Sequence, residues 1–90
     1  MTTIYKFPLK LEALQQVDMP AESKILCVQM QYGVPCIWAV VEWGAINQWS
    51  RTIRMIGTGN EAPGETDDYI GTVQLDDGAL VLHVFLVKTI

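Results

Sequence analysis

The stretch that most constrains the fold is YIGTVQLDDGALVLHVFLVK at residues 69–88. Two apolar runs flank Asp77-Gly78, and Asp-Gly in this position predicts a β-hairpin because a type I′ turn needs positive φ at both central residues. Pairing outward from the turn sets Val73 opposite Leu82. Both faces of the pair are apolar over most of their length, so we expect a central strand that is covered on both sides.

A second hairpin is predicted at residues 24–41, KILCVQMQ-YG-VPCIWAVV, with Tyr32-Gly33 at its tip. This register pairs Val28 with Ile37 and Leu26 with Ala39. It places the two cysteines of the chain, at positions 27 and 36, on the same face as diagonal neighbours rather than as a direct pair. We therefore expect two reduced cysteines and no disulfide.

The other segments predict short strands and loops. Thr2 to Leu11 alternates like an edge strand that breaks at Pro8, with Ile4 and Phe7 on one side. Residues 12–19 fit either one helical turn or a short strand, residues 51–56 predict a strand, and residues 57–68 form a loop. The chain is thus predicted to be one domain over residues 1–90, mainly β. The expected fold is a small antiparallel β-sandwich or barrel of five to six strands, with two hairpins and at most one short helical turn.

No apolar run is long enough to cross a membrane, since the longest, at residues 34–46, falls short of the roughly 20 residues required. No secretory signal opens the sequence. These observations predict a protein that stays in the cytoplasm where it is made, without a membrane partner.

Charge is distributed unevenly over the chain, whose net charge is −4. Between Arg54 and Lys88 there is no lysine or arginine, whereas acidic residues are frequent. This balance argues against direct binding of nucleic acid, which needs a broad basic surface. The acids either keep a β-protein soluble or form a contact surface for a basic partner. The candidate contacts are Glu65, Asp67, Asp68, Asp76 and Asp77.

Two tryptophans, Trp43 and Trp49, fall in a connection predicted at residues 42–50. They either cover the core or act as exposed anchors, because aromatic residues carry much of the energy of protein interfaces. We include both residues among the candidate partner contacts.

Catalytic and metal sites are not predicted. The single histidine, His83, lies mid-strand opposite Thr72, without the nucleophile and orienting group that a catalytic histidine needs. Gly57-Thr58-Gly59 opens an acidic loop rather than a helix, which does not fit a phosphate site. The sequence therefore indicates a non-enzyme with no cofactor and no metal.

Four blocks of the sequence carry a resemblance: TIYKFPL, ILCVQMQYGVPCIWAVV, RMIGTG and YIGTVQLDDGALVLHVF. Together they resemble a family of small, uncharacterised proteins from bacteriophages and bacterial prophages. The resemblance implies a phage accessory protein in the cytoplasm of a bacterial host. It implies no activity and no catalytic residues.

Three functions are compatible with this setting. The first is an inhibitor of a bacterial defence system, of the anti-CRISPR type, which binds a host protein or complex with a basic surface. The second is a sponge for a small molecule or nucleotide, with Arg51 and Arg54 as ligand contacts. The third is a virion or assembly component. Homodimerisation through edge strands is compatible with all three.

Overall fold

The computed structural model describes residues 1–88 of the chain. Within them, one 3-10 turn at Asp76–Gly78 joins the last two of seven β-strands. The strands are β1 (Thr2–Pro8), β2 (Leu14–Pro20), β3 (Lys24–Gln31), β4 (Val34–Glu42), β5 (Gln48–Gly57), β6 (Asp68–Leu75) and β7 (Leu80–Val87).

The strands form two antiparallel sheets, one in the order β1-β4-β3 and the other in the order β2-β5-β7-β6. This confirms the predicted mainly β class with two hairpins. The structure has seven strands where five to six were predicted, because residues 14–20 adopt the strand alternative and form β2. Val17 and Met19 are buried and Asp18 between them is exposed, so the alternation of a strand prevails over the helical spacing once β2 pairs with β5.

The core lies between the two sheets. Its buried residues come from every strand except β1, whose half-buried Phe7 packs against them. The buried apolar residues of this core are Leu9, Val17, Met19, Val28, Ile37, Ile53, Met55, Val73 and Val84. Their alternation along each strand is the pattern that a sandwich requires.

The C-terminal hairpin has the predicted register, with Val73 opposite Leu82. The φ angles are 54° at Asp77 and 90° at Gly78, and the N–H of Ala79 donates to the carbonyl of Asp76 at 3.0 Å. The turn is therefore of the expected I′ type. β7 is central as predicted, but only its inner face packs on the other sheet. The outer face is half-buried and contacts a loop.

That loop is the connection from β5 to β6, residues 58–67, which we call the crossover. β5 and β6 are both antiparallel to β7, which lies between them, so the crossover must pass β7 to reach the sheet edge. It does so on the outer face, where Thr58 contacts His83 and Asp67 contacts Arg54.

The β3–β4 hairpin follows the predicted register from its tip to Cys27, opposite Trp38. Beyond that point a bulge at Leu26 shifts the pairing, so Ile25 lies opposite Ala39 and Leu26 is 45% exposed. The predicted pair of Leu26 and Ala39 is therefore wrong. The extra residue shifts the inward–outward alternation by one position, so Ile25 and Val28 both face the core although they are three positions apart.

β3 and β6 are edge strands of the two sheets and contact each other. Like β3, β6 has a register shift, between Tyr69 and Gly71. The backbone of Gly71 approaches Val28 so closely that a β-carbon at position 71 would lie 2.8 Å from Val28 Cγ1. Only glycine fits this contact without a shift of the neighbouring strand.

β1 is an edge strand, as predicted, but its side-chain pattern differs from the prediction. Pro8 ends the strand rather than interrupting it, and the unbroken alternation turns Ile4 to the solvent with 60% of its surface exposed. Tyr5 and Phe7 share the inward side, with ring centroids 5.6 Å apart. The two cysteines are free, and the register makes them diagonal neighbours, as predicted.

Candidate functional site

Two of the five acidic candidates are neutralised within the chain. Asp67 Oδ2 lies 3.6 Å from Arg54 Nε, and the Asp67 side chain is only 5% exposed. Asp68 Oδ2 lies 2.7 Å from Lys88 Nζ, with both side chains more than half exposed. These two carboxylates are therefore poor candidates for a contact with a basic partner.

The other acidic candidates remain exposed. Asp76 and Asp77 form the tip of the C-terminal hairpin, and Glu65 lies in the crossover. In residues 1–88 none of the three forms a salt bridge. Asp68 begins β6 and Asp76 follows its end, so the two acidic pairs are separated by the length of a strand and do not form one patch.

The two arginines of the ligand-site hypothesis lie on opposite faces of β5. Arg54 is on the outer face beside the crossover, whereas Arg51 donates from Nη1 to the carbonyl of Ser23 at 3.1 Å. A cleft of about 700 Å³ between the crossover and β5 is lined by Arg54 and by Glu61, but not by Arg51. The structure thus does not bring the two guanidinium groups to one ligand.

The two candidate tryptophans lie at the same end of the sandwich, where the chain passes from one sheet to the other. Trp43 follows the last residue of β4 and is 47% exposed, and its ring packs edge-to-face on Tyr5 with centroids 5.0 Å apart. Trp49 lies on β5, not in a loop as predicted, and is 45% exposed. Between them Ile46 is 97% exposed. We call the group of Tyr5, Trp43, Ile46 and Trp49 the aromatic end.

The backbone of the aromatic end is held by hydrogen bonds on both sides. Ala45 N–H donates to the carbonyl of Glu42 at 3.1 Å, and Ala21 N–H donates to the carbonyl of Asn47 at 2.9 Å. The Arg51 guanidinium lies 5.7 Å from the centre of the Trp49 ring. The large side chains are therefore presented on an ordered turn, which lowers the conformational entropy lost on binding.

Glu42 anchors the start of this turn. Its carboxylate contacts the amino group of Met1 at 2.5 Å and accepts from the Thr2 hydroxyl at 2.8 Å. These hydrogen bonds lower the pKa of Glu42 from 4.5 to about 2, and the bond from the Met1 ammonium group has the largest effect.

Sequence reasoning found Trp43 and Trp49 but missed the other members of the aromatic end. The predicted pattern of β1 places Ile4, rather than Tyr5, on the same side as Phe7. For Ile46 the available signal is a large aliphatic residue in a predicted loop, which indicates an exposed contact.

His83 lies opposite Thr72, as predicted. Its Nδ1 is 3.0 Å from the Thr72 hydroxyl and its Nε2 is 2.7 Å from the Thr58 hydroxyl, a partner that the sequence did not suggest. Tyr69 extends this chain, with its hydroxyl 2.6 Å from that of Thr72. Nε2 thus ties the crossover to the sheet, while Nδ1 contacts the neighbouring strand β6.

Within residues 1–88 no group of three or more histidine, cysteine, aspartate or glutamate side chains is placed to hold a metal ion. The same residues contain no helix of the length and apolarity that a membrane span needs. The edge strands are β1 and β3 in one sheet and β2 and β6 in the other, and pairing of two copies through these edges stays a prediction.

Comparison with known proteins gives one match. No curated protein and no solved structure is significantly similar to the chain. A family model described as a domain of unknown function, DUF7352, matches residues 1–89. This match covers nearly the whole sequence, so the chain belongs to the DUF7352 family.

Proposed function

We propose that the chain is a non-enzymatic binding protein that contacts a protein partner through the aromatic end. The observation that carries this proposal is the exposure of Trp43, Trp49 and Ile46 at one end of the sandwich. Burying such side chains is the main source of affinity at protein interfaces, where tryptophan and tyrosine are enriched.

The acidic residues support a secondary role in the same proposal. The exposed carboxylates of Asp76, Asp77 and Glu65, on a chain of net charge −4, attract a basic partner over a distance and raise the association rate. They contribute less to the lifetime of the complex than buried aromatic contacts do.

The more specific proposal is inhibition of a bacterial defence complex with a basic surface, in the cytoplasm of a bacterial host. It is supported by the resemblance to phage proteins and by the acidic charge. The proposal of a non-enzyme is supported by His83, because both of its ring nitrogens are already held by threonine hydroxyls.

Photocrosslinking in bacterial cells tests the contact surface. A photoreactive phenylalanine analogue is placed at Ile46, in the aromatic end, and in a second variant at Tyr32, at the tip of the β3–β4 hairpin. The two sites are matched because they are 97% and 96% exposed, respectively. A third variant carries the analogue at Asp77.

A discrete adduct from position 46, absent from position 32, is expected. If only position 77 gives the adduct, the acidic hairpin rather than the aromatic end is the contact surface. Equal adducts from positions 32 and 46 would show nonspecific contact and contradict the proposal.

A further inference from the structure

The outer face of the three-stranded sheet does not pack against the other sheet, and the charged side chains at its centre are lysines. The register lays its side chains out in rows across the strands. One row contains Ile4, Val40 and Lys24, and the next contains Lys6, Trp38 and Cys27. We call these two rows the lysine–tryptophan face.

The apolar centre of this face is unusual for a surface layer. Ile4 is 60% exposed, and Trp38 and Val40, on the central strand β4, are only partly buried. Their inward neighbours Ile37 and Ala39 are fully buried in the sandwich core. Trp38 and Val40 therefore face outward, towards a surface that no strand of the other sheet covers.

The charged residues of the face are both basic. Lys6 donates a hydrogen bond to Gln31 Oε1, and within residues 1–88 neither Lys6 nor Lys24 forms a salt bridge. Glu42, in the row beyond Val40, ends β4, and its carboxylate is engaged by Met1 and Thr2. The crossover and the C-terminal hairpin, by contrast, hold most of the carboxylates.

We propose that the lysine–tryptophan face is a second docking surface, for an acidic protein segment that places a large apolar side chain on Trp38. Charge complementarity selects this occupant, since the free charges of the face are positive. Lys6 and Lys24 lie on the strands either side of β4, in adjacent rows that are two residues apart along β4. Strand spacing and rise place them roughly 12 Å apart, so the segment carries two carboxylates at about that distance with an apolar residue between them.

Two other occupants fit less well. A second copy that docked through the same face would oppose lysine with lysine, which is unfavourable for a two-fold contact. Single-stranded nucleic acid stacks on aromatic side chains but also needs cations along its backbone, and this face offers two lysines on a chain of net charge −4.

The test is an NMR titration of the isotope-labelled protein with a short labelled peptide. The peptide carries two glutamates four residues apart, with phenylalanine midway between them, on a serine-glycine background. In a control peptide lysines replace the glutamates. We expect shift changes in β1, β3 and β4, on the lysine–tryptophan face, with the acidic peptide only.

Charge variants give a matched comparison. Lys24→Glu should weaken peptide binding by roughly threefold or more, because it removes an attraction and adds a repulsion. Lys10→Glu makes the same change in net charge outside the face and should leave the affinity unchanged. Trp38→Leu, which keeps an apolar side chain, should also weaken binding.

Three results would overturn the proposal. The first is the absence of any shift on these strands at millimolar peptide, or an equal response to the lysine peptide. The second is tighter binding of an oligothymidine probe at the same residues, which would assign the face to nucleic acid. The third is the same shift pattern produced by raising the protein concentration alone, which would assign it to a second copy.

Discussion

The contact between Gly71 and Val28 offers the sharpest test of how the two sheets pack. In Gly71→Ala the new methyl group would lie 2.8 Å from Val28 Cγ1 and 3.5 Å from the Val28 carbonyl oxygen. Val28 is 4% exposed, and its branched side chain has little rotational freedom. The strand must therefore shift, and overpacking of this kind costs about 2 kcal/mol of unfolding free energy.

Urea unfolding followed by circular dichroism measures this cost. For a chain of this size the change should lower the midpoint by about 1.5 M urea and the melting temperature by roughly 10 °C. Gly64→Ala is the control, because no atom lies within 4 Å of a β-carbon there. It should change the unfolding free energy by less than about 0.5 kcal/mol.

A double-mutant cycle identifies the clash as the cause. Val28→Ala alone should cost about 2 kcal/mol through lost burial and a residual cavity. It also removes the methyl group that a side chain at position 71 would meet, so the double variant should be at least about 1 kcal/mol more stable than the sum of the two changes predicts. Strict additivity, or a fully stable Gly71→Ala variant, would refute the close approach of β3 and β6.

Three further predictions concern charged and thiol groups. Asp67→Ala should lower the unfolding free energy by about 1–2 kcal/mol, because it removes the counter-charge beside the buried Nε of Arg54. Asp68→Ala, at an exposed pair, should cost less than about 0.5 kcal/mol in the same urea assay. Glu42 should titrate near pH 2 in NMR. Because its pKa falls on folding, its contribution to stability is complete above about pH 4.5 and is lost as the pH falls towards 2. Acetylation of the amino terminus should raise the pKa of Glu42. A thiol reagent should label the half-buried Cys27 before the buried Cys36 in the native protein, and oxidant should form no bond between them.

Much of the fold could be predicted because the turn residues and the apolar patterns of the strands favour the same pairing that the packed structure adopts. In the C-terminal hairpin the Asp-Gly turn fixes the register, and the apolar pattern points the same way. In the β3–β4 hairpin the tip at Tyr32-Gly33 fixes the register only as far as Cys27. The bulge at Leu26 lies on β3, which contacts β6, a strand distant from it in the sequence.

The candidate functional site was predicted less completely, because its residues contact side chains that are distant in the sequence. Asp67 looked free in the sequence, yet the crossover brings it back to Arg54 on β5. Trp49 was predicted in a loop because β5 begins at Gln48, several residues before the part of the strand in which apolar residues alternate. Tyr5 joins the aromatic end only because β1 pairs with β4, whose last residue precedes Trp43.

The aromatic end, rather than the acidic hairpin, should supply most of the binding energy. Once crosslinking has identified the partner, the decisive measurement is its dissociation constant for two variants of the chain. One combines Trp43→Ala with Ile46→Ser, and the other combines Asp76→Asn with Asp77→Asn. All four positions are exposed, so both variants should fold.

We expect the aromatic variant to bind at least about 30-fold more weakly, a loss of about 2 kcal/mol that is typical of an interface hot spot. The hairpin variant should bind within about threefold of the parent and lose mainly salt-dependent association rate. A large loss in the hairpin variant with an unchanged aromatic variant would contradict the assignment of the binding energy to the aromatic end.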